Sequence, residues 1–375
     1  MIIRTNNASV YVDKHERIAT VDQDFSLTSS KPKKNLVFRV PTQPQPAAND
    51  SSLPSLPLTF DTGYAIGAFI GDGWVDAEYD NVYLSNVCPE IRKEYMKGME
   101  ALAGKSLHFS IKDSQNGFDG KVYWQNKTKF TNRKVRDFLF DAIGHHAENK
   151  HLPPFWRGTS IEFRWGILSG MLDTDGTVSV SKAKSKNHSQ VTARYETTSS
   201  SLIKDFMWMC HSLGIYGVYD TKTTKTGKPY FLYALNATSI GRMKGHVVLQ
   251  KEKHRIALDS FEFRESMWEG YASPELSKEQ LQQLIDAGLL KIHPAAYTVV
   301  RRKINSPRTR DYIPYFIAVK IAKMDLPVFK TDAELQRWRE LVLDMDFEWH
   351  FVKDLVQTNV ANTLPPATME LRFAV

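Results

Sequence analysis

Cysteine is almost missing from this chain. Only Cys88 and Cys210 occur in 375 residues. Two cysteines cannot build a disulfide framework or a cysteine-rich zinc site, and they suit a reducing compartment. Long apolar runs are missing too. None approaches the roughly 20 residues that cross a bilayer. The opening MIIRTNNASVYVDKHERIA has no basic segment followed by an apolar one, so it does not read as a secretory leader. A strong charge of one sign is also lacking, since 49 Lys+Arg against 42 Asp+Glu leave +7. Such a balance admits a nucleic-acid partner without naming one. With 42% hydrophobic and 24% charged residues, the composition excludes a wholly disordered chain.

Three short runs open the chain with strand-like patterning: 9–12, 17–21 and 36–40. The stretch PTQPQPAANDSSLPSLPL (41–58) reads as a linker. Helical and strand patterns then alternate from about 60 to 270. SKEQLQQLIDAGL (277–289) predicts an amphipathic helix capped by Ser277, with Leu281, Leu284 and Leu289 on its apolar side. DAELQRWRELVL (332–343) predicts another. Strand-like runs return from 348 to the end.

The most informative feature is an internal repeat at an offset of 103. GYAIGAFIGDG (63–73) superposes on GILSGMLDTDG (166–176), matching Gly63 with Gly166, Gly67 with Gly170, Asp72 with Asp175, and Gly73 with Gly176. Small residues at i, i+4 and i+8 form one stripe on a helix. Two such stripes let two backbones approach closely. Asp72 and Asp175 would then meet at the ends of the paired helices. Adjacent carboxylates repel unless a cation sits between them, and a hard divalent ion suits oxygen donors. The backbone carbonyls of Gly71 and Thr174 are further candidate ligands. A metal so placed can activate water and stabilise a leaving oxygen in phosphodiester hydrolysis. The same offset carries Lys150-His151 onto Lys253-His254, each 78 residues after its aspartate. A lysine there could polarise the water or stabilise developing charge. Asp173 reads as a helix-end residue rather than a ligand.

AIGAFIGDG (65–73) and LSGMLDTDG (168–176) resemble the two motifs of the LAGLIDADG homing endonucleases. The second match is close. The first is looser, because Ile70 replaces the usual first acidic residue. The segment KHLPPFWRG leading into RWGILSGMLDTDG resembles intein-embedded members. The resemblance covers about 60–265. It implies an α/β (α+β) fold with two pseudo-symmetric αββαββα halves, and a metal-dependent enzyme that cuts both strands of a long double-stranded DNA target and leaves short 3′ overhangs. It implies Asp72 and Asp175 as catalytic metal ligands, Mg²⁺ as cofactor with Mn²⁺ as a possible substitute, and a monomer. Lys150 matches the family's active-site lysine of the first half. For the second half Lys253 fits by offset, with Lys251 a close rival.

The flanks look intein-like. VYVDKHERIA (10–19) is similar to the splicing block that carries the TxxH histidine, with His15 present but Val12 in place of threonine. The tail EWHFVKDLVQTNVANTLPPATMELRFAV resembles the strands before an intein's C-terminal junction. The chain starts at Met1 and stops at Val375 without the junction His-Asn. This fits a free-standing, intein-derived endonuclease, or part of a split intein, better than self-splicing. A small all-β Hint-like remnant built from both ends is therefore expected. The predicted organisation is 1–58 as splicing-domain remnant and linker, 59–155 and 156–268 as the two halves, 269–345 as a helical extension, and 346–375 as terminal strands. A cytoplasmic setting, prokaryotic or phage, is expected.

Basic and hydroxyl-rich segments supply the expected DNA contacts: Lys112, Lys121, Gln125 and Lys127 in the first half; Lys182, Lys184, Lys186, Arg194, Lys222, Lys225 and Lys228 in the second; and Arg301, Arg302, Lys303, Arg308 and Arg310 in RRKINSPRTR as an extra contact. Lys and Arg would neutralise phosphates, while Gln and Arg can read base edges. Alternative readings are a cleavage-inactive maturase or regulator, or part of a split splicing element.

Overall fold

The computed structural model of the chain describes residues 2–5, 8–11, 17–19, 24–26, 37–47, 54–76, 78–118, 121–182, 189–268, 271–274, 276–305, 313–351 and 354–356. It divides into two compact units, one of Met1–Gln43 with Phe263–Val375 and one of Pro44–Glu262.

In the first unit, β1 (Ile2–Arg4), β2 (Ser9–Tyr11), β3 (Arg17–Ala19), β4 (Asp24–Ser26) and β5 (Val37–Pro41) come first.

The Pro44–Glu262 unit begins with α1 (Phe60–Asp72), β6 (Gly73–Asp76), β7 (Asn81–Ser85), α2 (Pro89–Ala103), β8 (Ser110–Phe118), β9 (Lys121–Thr131) and α3 (Arg133–Ile143). The same order then repeats as α4 (Ile161–Thr174), β10 (Gly176–Lys182), β11 (Ser189–Thr197), α5 (Ser200–Ser212), β12 (Gly217–Thr223), β13 (Pro229–Leu235) and α6 (Ala237–Met243), followed by α7 (Glu252–Asp259). These are the two αββαββα halves that the family resemblance implies. Each half has a four-stranded antiparallel sheet with the same topology, β6-β7-β9-β8 in one and β10-β11-β13-β12 in the other.

The two lead helices start at good caps. The Thr59 side chain accepts from the Thr62 amide, with a reciprocal bond completing a capping box, and Ser160 accepts from Phe163 N. Both helices are buried almost all round, from Thr62 to Ile70 and from Phe163 to Thr174. That is the signature of a central helix pair rather than an amphipathic surface helix. The glycine stripe explains their closeness. A Cβ built on Gly63 would lie 2.3 Å from Phe163 O, on Gly67 2.1 Å from Ile167 O, on Gly166 2.2 Å from Phe60 O, and on Gly170 2.2 Å from Tyr64 O. Backbone meets backbone, reciprocally, along the whole stripe. At its foot a Cβ on Gly71 would strike Thr174 Oγ1 at 2.1 Å.

The terminal unit continues with α8 (Lys278–Asp286), α9 (Leu289–Ile292), α10 (Pro294–Asn305), α11 (Tyr315–Ala322), α12 (Val328–Thr331), α13 (Ala333–Leu343), β14 (Phe347–Phe351) and β15 (Asp354–Val356). Ser277 caps α8 with a capping box to Gln280, and Asp332 caps α13. The helices bury one shared core that includes Leu281, Leu284, Val300, Ile321, Leu335 and Trp338. Strands from the two ends pair with each other: Ile2 lies opposite Val356 and Tyr11, and Val40 opposite Glu348. Residues 269–345 thus share one compact unit with the terminal strands. His15 and the tail beyond 356 lie outside the described residues. No helix among the described residues is long and apolar enough to cross a membrane.

Candidate active site

Asp72 is the last residue of α1, and Asp175 caps the end of α4. Close packing at the Gly71–Thr174 contact brings the two helix ends together. The carboxylates interact: burial and then the Asp72 charge push the Asp175 carboxyl up to about 6, against the pull of Lys150 and Lys251. Asp72 is also raised, chiefly by burial, while a hydrogen bond from Asn86 and the two lysines oppose the shift.

Lys150 is buried, at 7% exposure. Its ammonium donates to Ile70 O at 2.7 Å, Gly73 O at 2.8 Å, Phe69 O at 3.2 Å and Gly71 O at 3.3 Å. A cation at a helix C-terminus satisfies carbonyls that lack intrahelical partners and complements the dipole. Burial lowers this ammonium to about 8, with Asp175 and then Asp72 acting in the other direction.

Lys251 plays the matching part for α4. Its Nζ donates to Thr174 O at 3.2 Å, and its charge acts on both aspartates. Lys253, favoured by the fixed offset, stands exposed in the first turn of α7. The structure therefore brings Lys251, and not Lys253, to the helix ends. The reason is local: the halves differ in loop length beyond their lead helices, so an offset of 103 slips by two residues there. Among the pair's neighbours, His254 is buried and its imidazole is held down to about 4 by burial and then by the charges of Lys251 and Lys253.

Asp173 is fully buried and binds rather than faces solvent. It accepts from Tyr64 OH at 2.9 Å, Gln250 N at 2.7 Å and Lys251 N at 3.2 Å. It therefore pins the Lys251 backbone to the end of α4 and draws a hydroxyl from α1 across the helix pair. Ile70 occupies the corresponding place in the first half and can do none of this.

Two clefts flank the helix ends. One, of about 730 Å³, is lined by Asp72, Asp76, Glu78, Ser85, His146 and Lys150 among others. The second, of about 400 Å³, is lined by Asp175, Glu196, Thr197, Tyr230, Gly71 and Lys150 among others. Gly71 and Lys150 border both. The sequence reading missed Asn86, whose Nδ2 donates to Asp72 Oδ2 at 2.6 Å. The strand register explains its place. Gly73 lies opposite Leu84 and Gly176 opposite Tyr195, so Asn86 corresponds to Thr197, two residues further on. No single-residue signal marks it; only the register does.

The sheet faces turned from the helices carry the expected basic residues in part. In the first half, Trp74 stacks on Tyr83 at 3.9 Å, with Lys127 and Lys129 each 5.8 Å from one of these rings. Exposed Lys112 sits opposite Lys127. In the second half, Arg194 is exposed beside Glu196 at 3.1 Å, Lys222 is exposed on β12, and Lys225 and Lys228 lie at the β12–β13 turn. Lys121 and Gln125 fall on β9 and Lys182 on β10. Lys184, Lys186, Arg308 and Arg310 lie outside the described residues. Arg301, Arg302 and Lys303 end α10 in the other unit, where the Arg301 guanidinium lies 5.9 Å from the Tyr297 ring.

The donor set bears on a metal. Among the described residues no group of three or more His, Cys, Asp and Glu gathers to hold an ion. The two aspartates with the Gly71 and Thr174 carbonyls form an oxygen-only set. Their mutual repulsion fits a hard divalent cation that keeps part of its water shell, as Mg²⁺ does.

Comparison with known proteins places these features. Residues 162–257 match the family model described as LAGLIDADG-like domain. Over 160 residues the chain is 26% identical to the ATP-dependent DNA helicase Hel308 of Thermococcus kodakarensis, covering 42% of this chain and 13% of that protein. Over 143 residues it is 28% identical to the DNA-directed RNA polymerase subunit Rpo1C of Methanocaldococcus jannaschii, covering 36% of this chain and 15% of that one. The chain thus spans a small share of the curated relatives it matches. Among solved structures, the homing endonuclease I-WcaI bound to its DNA recognition sequence aligns with 54% of this chain and 87% of its own, at 11% identity and a TM-score of 0.38. I-DmoI in complex with its target DNA aligns with 52% and 97%, at 11% identity and a TM-score of 0.35. Residues 162–257 thus match a LAGLIDADG-like domain, and this segment carries the second of two αββαββα halves whose paired helices both end in Asp-Gly.

Proposed function

We propose that this chain is a site-specific, metal-dependent homing endonuclease that hydrolyses phosphodiester bonds on both strands of a long double-stranded DNA target. One observation carries the reading: two helix-end aspartates converge, each helix end is capped by a lysine, and a cleft opens on either side. A protein that only binds DNA has no use for a repelling carboxylate pair. Asp72, Asp175 and the carbonyls of Gly71 and Thr174 would hold Mg²⁺, or Mn²⁺ in its place. The ion would supply Lewis-acid stabilisation of the scissile phosphate.

The chain's own groups do the rest. Lys150 and Lys251 lay positive charge beside the cleft floors, where negative charge develops in phosphodiester cleavage. Asn86 fixes one oxygen of Asp72 and so leaves the other free to face the cleft. Lys112, Lys127, Lys222, Lys225 and Lys228 neutralise backbone phosphates, and Arg194 reads base edges from the sheet face. Arg301, Arg302 and Lys303 add a contact from the helical unit. The protein acts as a monomer, its two halves standing in for the two subunits of a symmetric cutter. Matches over a small share of two proteins with different names suit a segment inserted into host genes, which supports the mobile, intein-derived reading.

The test is cleavage of a random-sequence DNA library with Mg²⁺, in wild type and in Asp72→Asn and Asp175→Asn. The reading fails if wild type binds a site tightly yet cuts nothing with any divalent metal.

A further inference from the structure

The segment that joins the two halves carries Lys150, and it is fastened to the second half. Lys150 reaches α1 with its ammonium, but its backbone belongs to the other side: Ser199 Oγ donates to Lys150 O at 2.6 Å. Two residues on, Leu152 N donates to Asp205 Oδ2 at 3.1 Å. Further along, the Arg157 guanidinium lies 4.2 Å from the Trp208 ring. Ser199 caps α5, and Asp205 and Trp208 are on it. Three points of one helix of the second half thus grip the strand that presents the lysine of the first.

Asp205 is the unusual member. It is a carboxylate only 6% exposed, on a helix whose neighbouring positions are packed with Phe206, Met207 and Met209. A buried carboxylate is costly unless it is bound. The groups facing it are the Leu152 amide, Arg157, His151 and Lys204, and burial still outweighs them and lifts its carboxyl to about 6. An apolar residue would pack this place at less cost, so the acceptor oxygen has a use.

We infer that Asp205 is a positioning residue for Lys150: with Ser199 it latches the connecting segment onto α5 and holds the Lys150 ammonium between the two clefts. This rests on the endonuclease reading for its consequence but not for its geometry. It makes the connecting segment a working part of the site. Because Lys150 borders both clefts, loosening the latch should slow the cutting of both strands, not one.

The experiment uses the full chain with Asp205→Ala and Asp205→Asn. Asparagine keeps an oxygen that accepts from Leu152 N, while alanine removes it. Two readouts are taken. The first is single-turnover cleavage at saturating DNA, with DNA affinity measured separately. The second is the rate at which an amine-reactive acylating reagent modifies Lys150, followed by peptide mass spectrometry. The expected result is a tenfold or greater fall in cleavage rate for Asp205→Ala at unchanged DNA affinity, with Lys150 labelled at least several-fold faster. Asp205→Asn should restore both toward wild type. The inference is overturned if Asp205→Ala leaves Lys150 labelling unchanged, or if Asp205→Asn is as damaging as Asp205→Ala. Should Asp205→Ala melt too low to assay, Arg157→Ala, which releases the third point of the grip, must also speed Lys150 labelling, and no change there overturns the latch. Wild type that cuts nothing would sink the endonuclease reading, while the labelling arm would still decide the latch.

Discussion

Substituting alanine for Gly67 tests the helix pair on which the site stands. In an ordinary helix interior this change stabilises by roughly 0.5–1 kcal/mol, because glycine is the poorer helix former. Here the added methyl would sit 2.1 Å from Ile167 O, 2.9 Å from Ile167 C and 3.0 Å from Met171 N. All three atoms are backbone of a buried helix, so no side chain can swing away. To reach ordinary contact α1 and α4 must separate by about 1 Å. Overpacking a tight core costs typically 1–3 kcal/mol. With backbone as the obstacle we take about 3 kcal/mol, and the propensity gain leaves a net loss of about 2 kcal/mol. For a unit of this size that is a fall in melting temperature of about 4–8 °C. Gly241 in α6 is the control, since its methyl would meet only the ring of Phe261, at 3.0 Å. Thermal unfolding followed by circular dichroism reads the difference. If Gly67→Ala melts at or above wild type, the backbone-to-backbone packing of α1 on α4 is wrong, and so is the meeting of Asp72 and Asp175.

Other expectations follow from the same geometry. Lys251→Met should lower the cleavage rate by about 100-fold or more, in the range seen for positioned charged or proton-transferring groups, whereas Lys253→Met should leave it within about threefold; equal effects in single-turnover assays would refute the assignment. The Asp175 carboxyl sits at about 6 in the folded chain against an ordinary 3.8. A raised carboxyl means that the folded state holds its proton more tightly than the unfolded state. Its contribution to stability is therefore present at acid pH and lost as pH rises from about 4 through about 6. Metal-free Asp175→Asn should lack that loss in thermal melts across this range, and a wild-type-like pH profile would count against a repelling pair. DNA affinity should fall steeply with salt, and replacing Lys112 and Lys127 together should flatten the log–log slope by about 1.8 if both contact duplex phosphates; an unchanged slope would remove them from the interface.

The fold of the central unit was legible because glycine spacing and helix ends are local properties of the chain. The stripe Gly63, Gly67, Gly71 against Gly166, Gly170, Thr174 states the packing almost directly. Strands were legible through their β-branched and aromatic content, though β8 begins only at Ser110 and runs on to Phe118. Parts of the helical unit were not. PAAYTVVRRKIN carries four β-branched residues, yet forms α10 because packing of Ala296, Val300 and Ile304 on the shared core overrides propensity. The site divides in the same way. Asp72 and Asp175 follow from the repeat, and Lys150 from the family resemblance. Lys251 displaced Lys253 because loop lengths break the offset after the helices. Asn86, Asp205 and the Tyr64–Asp173 bond depend on strand register and helix packing, which a lone sequence does not disclose.

Asp72 and Asp175 converge at the ends of α1 and α4, and a single measurement tests whether cutting needs both. A supercoiled plasmid bearing the bound site is incubated with Mg²⁺ and wild type, Asp72→Asn or Asp175→Asn at saturating protein, and nicked and linear products are followed in time. Wild type is expected to linearise the plasmid, and each single variant to bind it but lose linearisation by about 100-fold or more. Either variant linearising the plasmid at the wild-type rate would contradict that expectation.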